Sequence, residues 1–188
     1  MKKLLLITMI TGTIYAQSNA MLYGGFNSMG ESNYTTDLER KAGISLGIAF
    51  PKSESLTYGL GYTTKGYKDS YYYDLGYYGD VDVDEDVKIN AIEGWVTNTL
   101  TPNNPMSLFI GASIAYLMKA DVDVTVSNVS ESASGDIDEF EISIMGGIKT
   151  KLGESLELSL GYQMALNNVS DDYKFNNLFV RIGIPLSN

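Results

Sequence analysis

The 188-residue chain has no cysteine, no histidine and only 4 prolines. Without cysteine there is no disulfide and no thiolate chemistry, so an exported chain must find its stability elsewhere. Without histidine, the commonest general base and the commonest transition-metal ligand are both missing. A serine nucleophile would have no evident base, so no enzyme and no cofactor are expected. Basic residues are scarce as well: 13 Lys and Arg face 23 Asp and Glu, a net charge of −10. A polyanion would be repelled, which excludes nucleic acid as a partner. No apolar run approaches the ~20 residues a membrane-spanning helix needs. What the chain does have is 19 glycines and 14 tyrosines, a bias that suits strands and turns better than helices. The length fits one domain.

The first residues read as a targeting segment. Lys2 and Lys3 form a charged start, Leu4 to Ile14 a short apolar stretch, and Ala16 a small residue before a cut at Gln17. Residues 1–16 are therefore expected to be a cleaved signal peptide, with a cut after Ala20 as the alternative, leaving 17–188 as the mature domain.

Beyond it, two kinds of connection alternate. Short breaks fall at Pro51–Glu54, Thr101–Pro105 and Gly153-Glu154, and long polar segments at about Gly30–Glu39, Gly66–Asp86, Lys119–Glu139 and Asn167–Asp172. Seven connections define eight strands. In an antiparallel meander the long ones all lie at one end, as in outer-membrane barrels.

The strands carry a period of two. Leu156, Leu158, Leu160, Tyr162, Met164 and Leu166 alternate with Glu157, Ser159, Gly161, Gln163 and Ala165. The same split places Ile44, Leu46, Ile48 and Phe50 against Ser45, Gly47 and Ala49, and recurs at 56–63, 107–116 and 177–186. Each segment thus has one large apolar face and one small or polar face. A soluble barrel would put its bulk inside and long polar groups outside. Here the second face is mostly glycine, serine, alanine and threonine, a poor solvent surface but a good filling for a narrow lumen. The expected fold is an all-β, eight-stranded antiparallel up-and-down transmembrane β-barrel. Tyr62, Tyr116 and Tyr162 fall at similar heights on the apolar face, where an interfacial aromatic belt would lie. The fourth strand, Val87–Leu100, is the least regular: Ile92, Val96 and Leu100 share a face, but Ile89 and Trp95 fall on the other. Either a β-bulge switches the phase or Trp95 packs inside.

Three stretches, in order, resemble the PorT-type outer-membrane β-barrel domain: Tyr62-Thr63-Thr64-Lys65-Gly66-Tyr67-Lys68, Gly111–Lys119, and Leu156–Tyr162 leading to Asn167-Asn168-Val169. The resemblance spans nearly all of the mature chain and implies a small porin-like barrel. The chain departs from that pattern in ending Pro185-Leu186-Ser187-Asn188 rather than on an aromatic residue, and in carrying Glu93-Gly94-Trp95 where the family usually has a proline.

By phase, Glu93, Lys119, Glu141, Lys149, Glu157 and Arg181 should point inward. Mixed charges in so narrow a space should pair, and eight strands enclose just enough room for side chains to fill, so a plugged lumen is expected over an open pore. Most acids lie in the long segments. Asp80, Asp82, Asp84 and Asp86 are the candidate ligands for a hard cation, although Asp80-Val81-Asp82-Val83-Asp84 lacks the glycine and later glutamate of an EF-hand, and no metal is expected. A simpler reading continues the strands above the membrane with one acidic, solvated face, since Val122, Val124 and Val126 keep the even phase. Tyr71, Tyr72, Tyr73, Tyr77 and Tyr78 suit a recognition loop, or one that folds over the barrel mouth. The expected role is structural or surface-interacting, with a narrow solute path as the alternative. The expected surroundings are outer-membrane lipid and lipopolysaccharide, with a surface or envelope protein partner and a monomeric state. The termini are expected in the periplasm and the long loops outside.

Overall fold

The computed structural model describes residues 20–31, 39–74, 76, 80–127, 129–153, 156–169 and 174–186. The expected signal peptide lies outside them, apart from Ala20. Eight strands follow one another: β1 (Met21–Glu31), β2 (Glu39–Pro51), β3 (Leu56–Asp74), β4 (Asp80–Thr99), β5 (Met106–Val126), β6 (Val129–Leu152), β7 (Leu156–Ala165) and β8 (Phe175–Pro185). Each pairs antiparallel with its neighbour, and β1 pairs with β8 from Met21↔Pro185 to Glu31↔Phe175, closing the barrel. Closure leaves no free edge around the wall, so every ladder group there can be satisfied without water.

The two ends differ. At one, Lys52 N donates to Leu56 O (2.8 Å) and Ser53 Oγ accepts from Leu56 N (3.0 Å), closing the β2–β3 turn. Gly153, at φ 71°, lies in the β6–β7 turn, where a Cβ would strain the backbone. Ala20 and Leu186 meet at this same end through a 2.8 Å backbone hydrogen bond.

At the other end the strands are unequal. β1, β7 and β8 have 11, 10 and 11 residues, whereas β3 to β6 have 19, 20, 21 and 24. The segments Gly66–Asp86 and Lys119–Glu139, expected as long connections or, on the simpler reading, as strands continuing above the membrane, are mostly strand. β3 pairs with β4 up to Asp74↔Asp80, and β5 with β6 up to Val126↔Val129. With Val83↔Val126 joining the two hairpins, four strands continue past the rim as one projecting sheet. Polar strands outside a bilayer and polar loops have similar composition, which is why length alone separated them poorly.

The outward face of the wall is apolar on every strand, including Phe26, Leu46, Leu60, Val96, Ile110, Ile144, Leu160 and Ile182. Strands of about 9–11 tilted residues suffice to cross the hydrocarbon layer, and this band supplies them.

Candidate functional site

Inside the wall, side chains are arranged in three layers. Towards the projecting sheet lies an apolar layer of Met29, Val87, Ile89, Ala91, Leu117 and Phe175, with Tyr67 and Val122 packed on it. Towards the short turns Phe109, Met145 and Phe179 pack with Trp95. Between them sits a polar waist.

The waist holds two buried ion pairs. Arg181 Nη2 contacts Glu93 Oε2 at 3.0 Å, and Lys65 pairs with Glu141, whose side chains are only 1% and 2% exposed. Gln163 Nε2 donates to Glu93 Oε1 and to Ser113 Oγ, both at 2.7 Å, tying β4, β5 and β7 together. Ser143 Oγ donates to Glu141 Oε1 at 3.0 Å, and Asn27 Nδ2 to Thr63 Oγ1 at 3.0 Å. Charges placed in so little water must be paired this way, because an unpaired one would cost several kcal/mol. The Arg181 guanidinium also lies over three rings, 4.4 Å from the Phe179 centroid and 5.4 and 5.5 Å from those of Tyr23 and Trp95. Lys149 and Glu157 pair at 3.6 Å beside a small cavity of about 40 Å³ at the short-turn end, room for a few waters.

Five of the six residues expected inside therefore face the lumen, and Lys119 does not. Its side chain is 46% exposed and reaches Asp121 at 2.6 Å. The cause is a β-bulge. Ala91 pairs with Leu117 but Asn90 with Lys119, so Met118 has no partner on β4 and everything beyond it changes face. Val122 then turns inward rather than continuing the outward phase. In β4 the phase never switches: Val87, Ile89, Ala91, Glu93, Trp95 and Thr97 share the inward face. Trp95 packs inside, edge-on to Tyr23 at 5.8 Å, and donates Nε1–H to its hydroxyl at 3.3 Å. The wall makes room for these rings with glycine. A Cβ on Gly59 would stand 2.4 Å from Trp95 atoms, and one on Gly161 2.4 Å from Phe179.

Sequence reasoning missed Lys65. The signal was present, since Thr57, Gly59, Gly61 and Thr63 set the odd inward phase of β3 and residue 65 continues it. It stands at the edge of the long polar segment that begins at Gly66, where the alternation gives way to a run of polar residues.

On the projecting sheet, the outward face carries most of the acids. Asp82, Asp84 and Asp86 alternate along β4, so neighbours stand about 7 Å apart, too far for all three to meet one ion. Asp84 accepts from Ser70 Oγ at 2.7 Å, while Asp86 pairs with Lys41 and, at 3.5 Å, with Lys68. Among the described residues no group of three or more Asp or Glu is placed to hold a metal. The side chain of Asp80 lies outside the described residues, as do Tyr77 and Tyr78. Tyr71, Tyr72 and Tyr73 are strand residues at the tip of β3, all exposed.

No protein-family model and no curated protein matches the chain. Solved structures do match it, and all that follow are small outer-membrane barrels. The attachment invasion locus protein Ail of Yersinia pestis is 12% identical over 90% of this chain and 99% of its own, with a TM-score of 0.56. Neisserial surface protein A is 13% identical over 88% and 96%, at 0.54. The N-terminal barrel domain of Pseudomonas aeruginosa OprF is 10% identical over 90% and 98%, at 0.53. At such identities the likeness shows the fold, that of a small outer-membrane β-barrel.

Proposed function

We propose that the chain is a small integral outer-membrane protein of PorT-like type, delivered by a signal peptide ending at residue 16 or 20. In this reading its lumen does not conduct, and its projecting sheet is an extracellular interaction surface. The polar waist carries the reading. Two buried ion pairs cross the lumen, capped by an apolar layer on one side and aromatic rings on the other. An eight-stranded wall leaves no further width for a solute path. The structure devotes its length instead to the four strands beyond the rim, including the exposed Tyr71, Tyr72 and Tyr73. Aromatics that offer large area at low entropic cost are frequent in binding surfaces. The termini would lie on the periplasmic side, the protein would be a monomer, and its surroundings would be lipid and lipopolysaccharide, with a surface or envelope protein as partner. It would carry no enzymatic activity and no cofactor.

Planar-bilayer recording from the purified protein tests the plug. The expected result is no steady single-channel current, and steady currents would support a narrow solute path instead.

A further inference from the structure

Past the rim, the register lays out the inner side of the projecting sheet in rows. The lowest, Tyr67–Val87–Val122–Ala133, is continuous with the apolar layer of the lumen. The next is Asp69–Glu85–Val124–Glu131, and above it stands Tyr71–Val83–Val126–Val129. An acidic row is thus sandwiched between apolar ones. Tyr71, Val126 and Val129 are 43%, 39% and 66% exposed.

The two faces of this sheet treat charge differently. Outside, four carboxylates have partners, Asp86 in Lys41 and Lys68, Asp121 in Lys119, Asp84 in Ser70 and Asp123 in Ser132, and the lysines stand on that side. Inside, beyond the rim and above the buried Lys65, the register places no Lys or Arg on that face of the four strands among the described residues. Arg40, opposite Tyr67, turns away to donate to Ser28 O at 3.0 Å and to Asn176. Three carboxylates therefore stand between valine and tyrosine rows with no cation on their own face beyond the rim.

We propose that this face docks a cationic amphipathic polypeptide segment, its Lys or Arg side chains on Asp69, Glu85 and Glu131 and its apolar side chains on Tyr71, Val126 and Val129. The proposal rests on the reading of the projecting sheet as an interaction surface and names the partner's chemistry. Exposed apolar residues gathered on one face of a projecting element mark interaction sites, and the unmatched carboxylates set the sign of the partner. Phosphate-bearing lipid headgroups and other polyanions would be repelled. A second copy, with the same acidic row, would be too. Burial, with Asp69 alongside, already pushes the Glu85 carboxyl above the usual carboxylate range, a tension that an incoming cation would relieve.

The test uses the mature chain in nanodiscs of zwitterionic lipid and a fluorescent leucine–lysine amphipathic peptide, followed by anisotropy against empty discs. Asp69→Asn with Glu85→Gln and Glu131→Gln should weaken binding by roughly ten-fold or more. Val126→Thr with Val129→Thr, which keeps the strand propensity, should weaken it by a similar factor. Asp82→Asn with Asp84→Asn and Asp123→Asn, on the other face, should leave it within about two-fold. Equal loss from the outer-face variant, equally tight binding of polylysine, no binding above empty discs, or burial of this face against a second copy in cross-linking would each overturn the proposal. A Thr125→Cys variant labelled on intact cells by an impermeant maleimide separates the two readings, because the chain has no other cysteine. Labelling without peptide binding defeats only the partner, while no labelling defeats the surface reading itself.

Discussion

Lys65 and Glu141 show what a single buried charge demands in a lumen this narrow. Removing one member strands the other away from water, at a cost of about 3–5 kcal/mol, whereas replacing both with apolar groups leaves no unpaired charge and only the Ser143 hydroxyl without its acceptor. Lys65→Met is accordingly expected to destabilise the barrel by about that amount, and Lys65→Met with Glu141→Leu to recover most of it. Urea titration of the refolded protein in lipid would measure both. Near-neutral behaviour of the single variant would mean that water reaches the waist. Glycine acts at the same scale by absence. At Gly161 a methyl group would collide with the Phe179 ring, so Gly161→Ala should cost about 1–3 kcal/mol in the same titration through overpacking. The inward positions of Glu93, Glu141 and Arg181 could be read from alternation because the phase runs unbroken through their strands. Lys119 could not, since its phase depends on Met118, an ordinary residue with no mark of the bulge it makes.

That bulge is the main event at the scale of elements. Below Met118, β5 presents Ile110, Ile114 and Tyr116 outward; above it, Asp121 and Asp123 take the outward side and Val122 and Val124 the inward one. The sequence alternates acids and valines there either way, so the pattern announces a strand without telling which face is which. Deleting Met118 should make Leu117 and Lys119 consecutive opposite Ala91 and Asn90, so that the bulge is lost while Asp121 and Asp123 stay outward and Val122 and Val124 inward. Limited proteolysis is expected to leave the β5–β6 hairpin of that variant as resistant as in the parent, and the barrel below should still migrate faster unheated than boiled. New cleavage within the hairpin would show that its two faces had exchanged, with the carboxylates over the barrel mouth and the valines in water. In β4 the difficulty is the reverse: alternation alone leaves open whether a bulge or inward packing accounts for Ile89 and Trp95, and both fill the lumen with the phase intact.

For the whole molecule, strand number, antiparallel order and closure were legible from the alternation of short and long connections and from a lipid-facing stripe on nearly every strand. Strand extent was legible only as one of two readings, because leaving the bilayer removes the demand for apolar residues without ending the ladder. The barrel should therefore be independent of what stands above it. Replacing residues 70–84 and 121–134 with short turns is expected to leave a heat-modifiable band on a gel, and loss of that band would mean that the projecting sheet helps the wall to close.

The unequal strands give the molecule a front and a back. β3 to β6 rise on one arc of the rim, while β7, β8 and β1 stop short on the other. Among the described residues, the strands beyond the rim form a screen set on one side of the barrel. A neighbour packed against the low arc would leave the screen clear, whereas one packed against the high arc would stand in front of its acidic outer side. In a crowded bilayer, the direction from which another molecule approaches would then decide whether it meets the paired carboxylates or the valine rows.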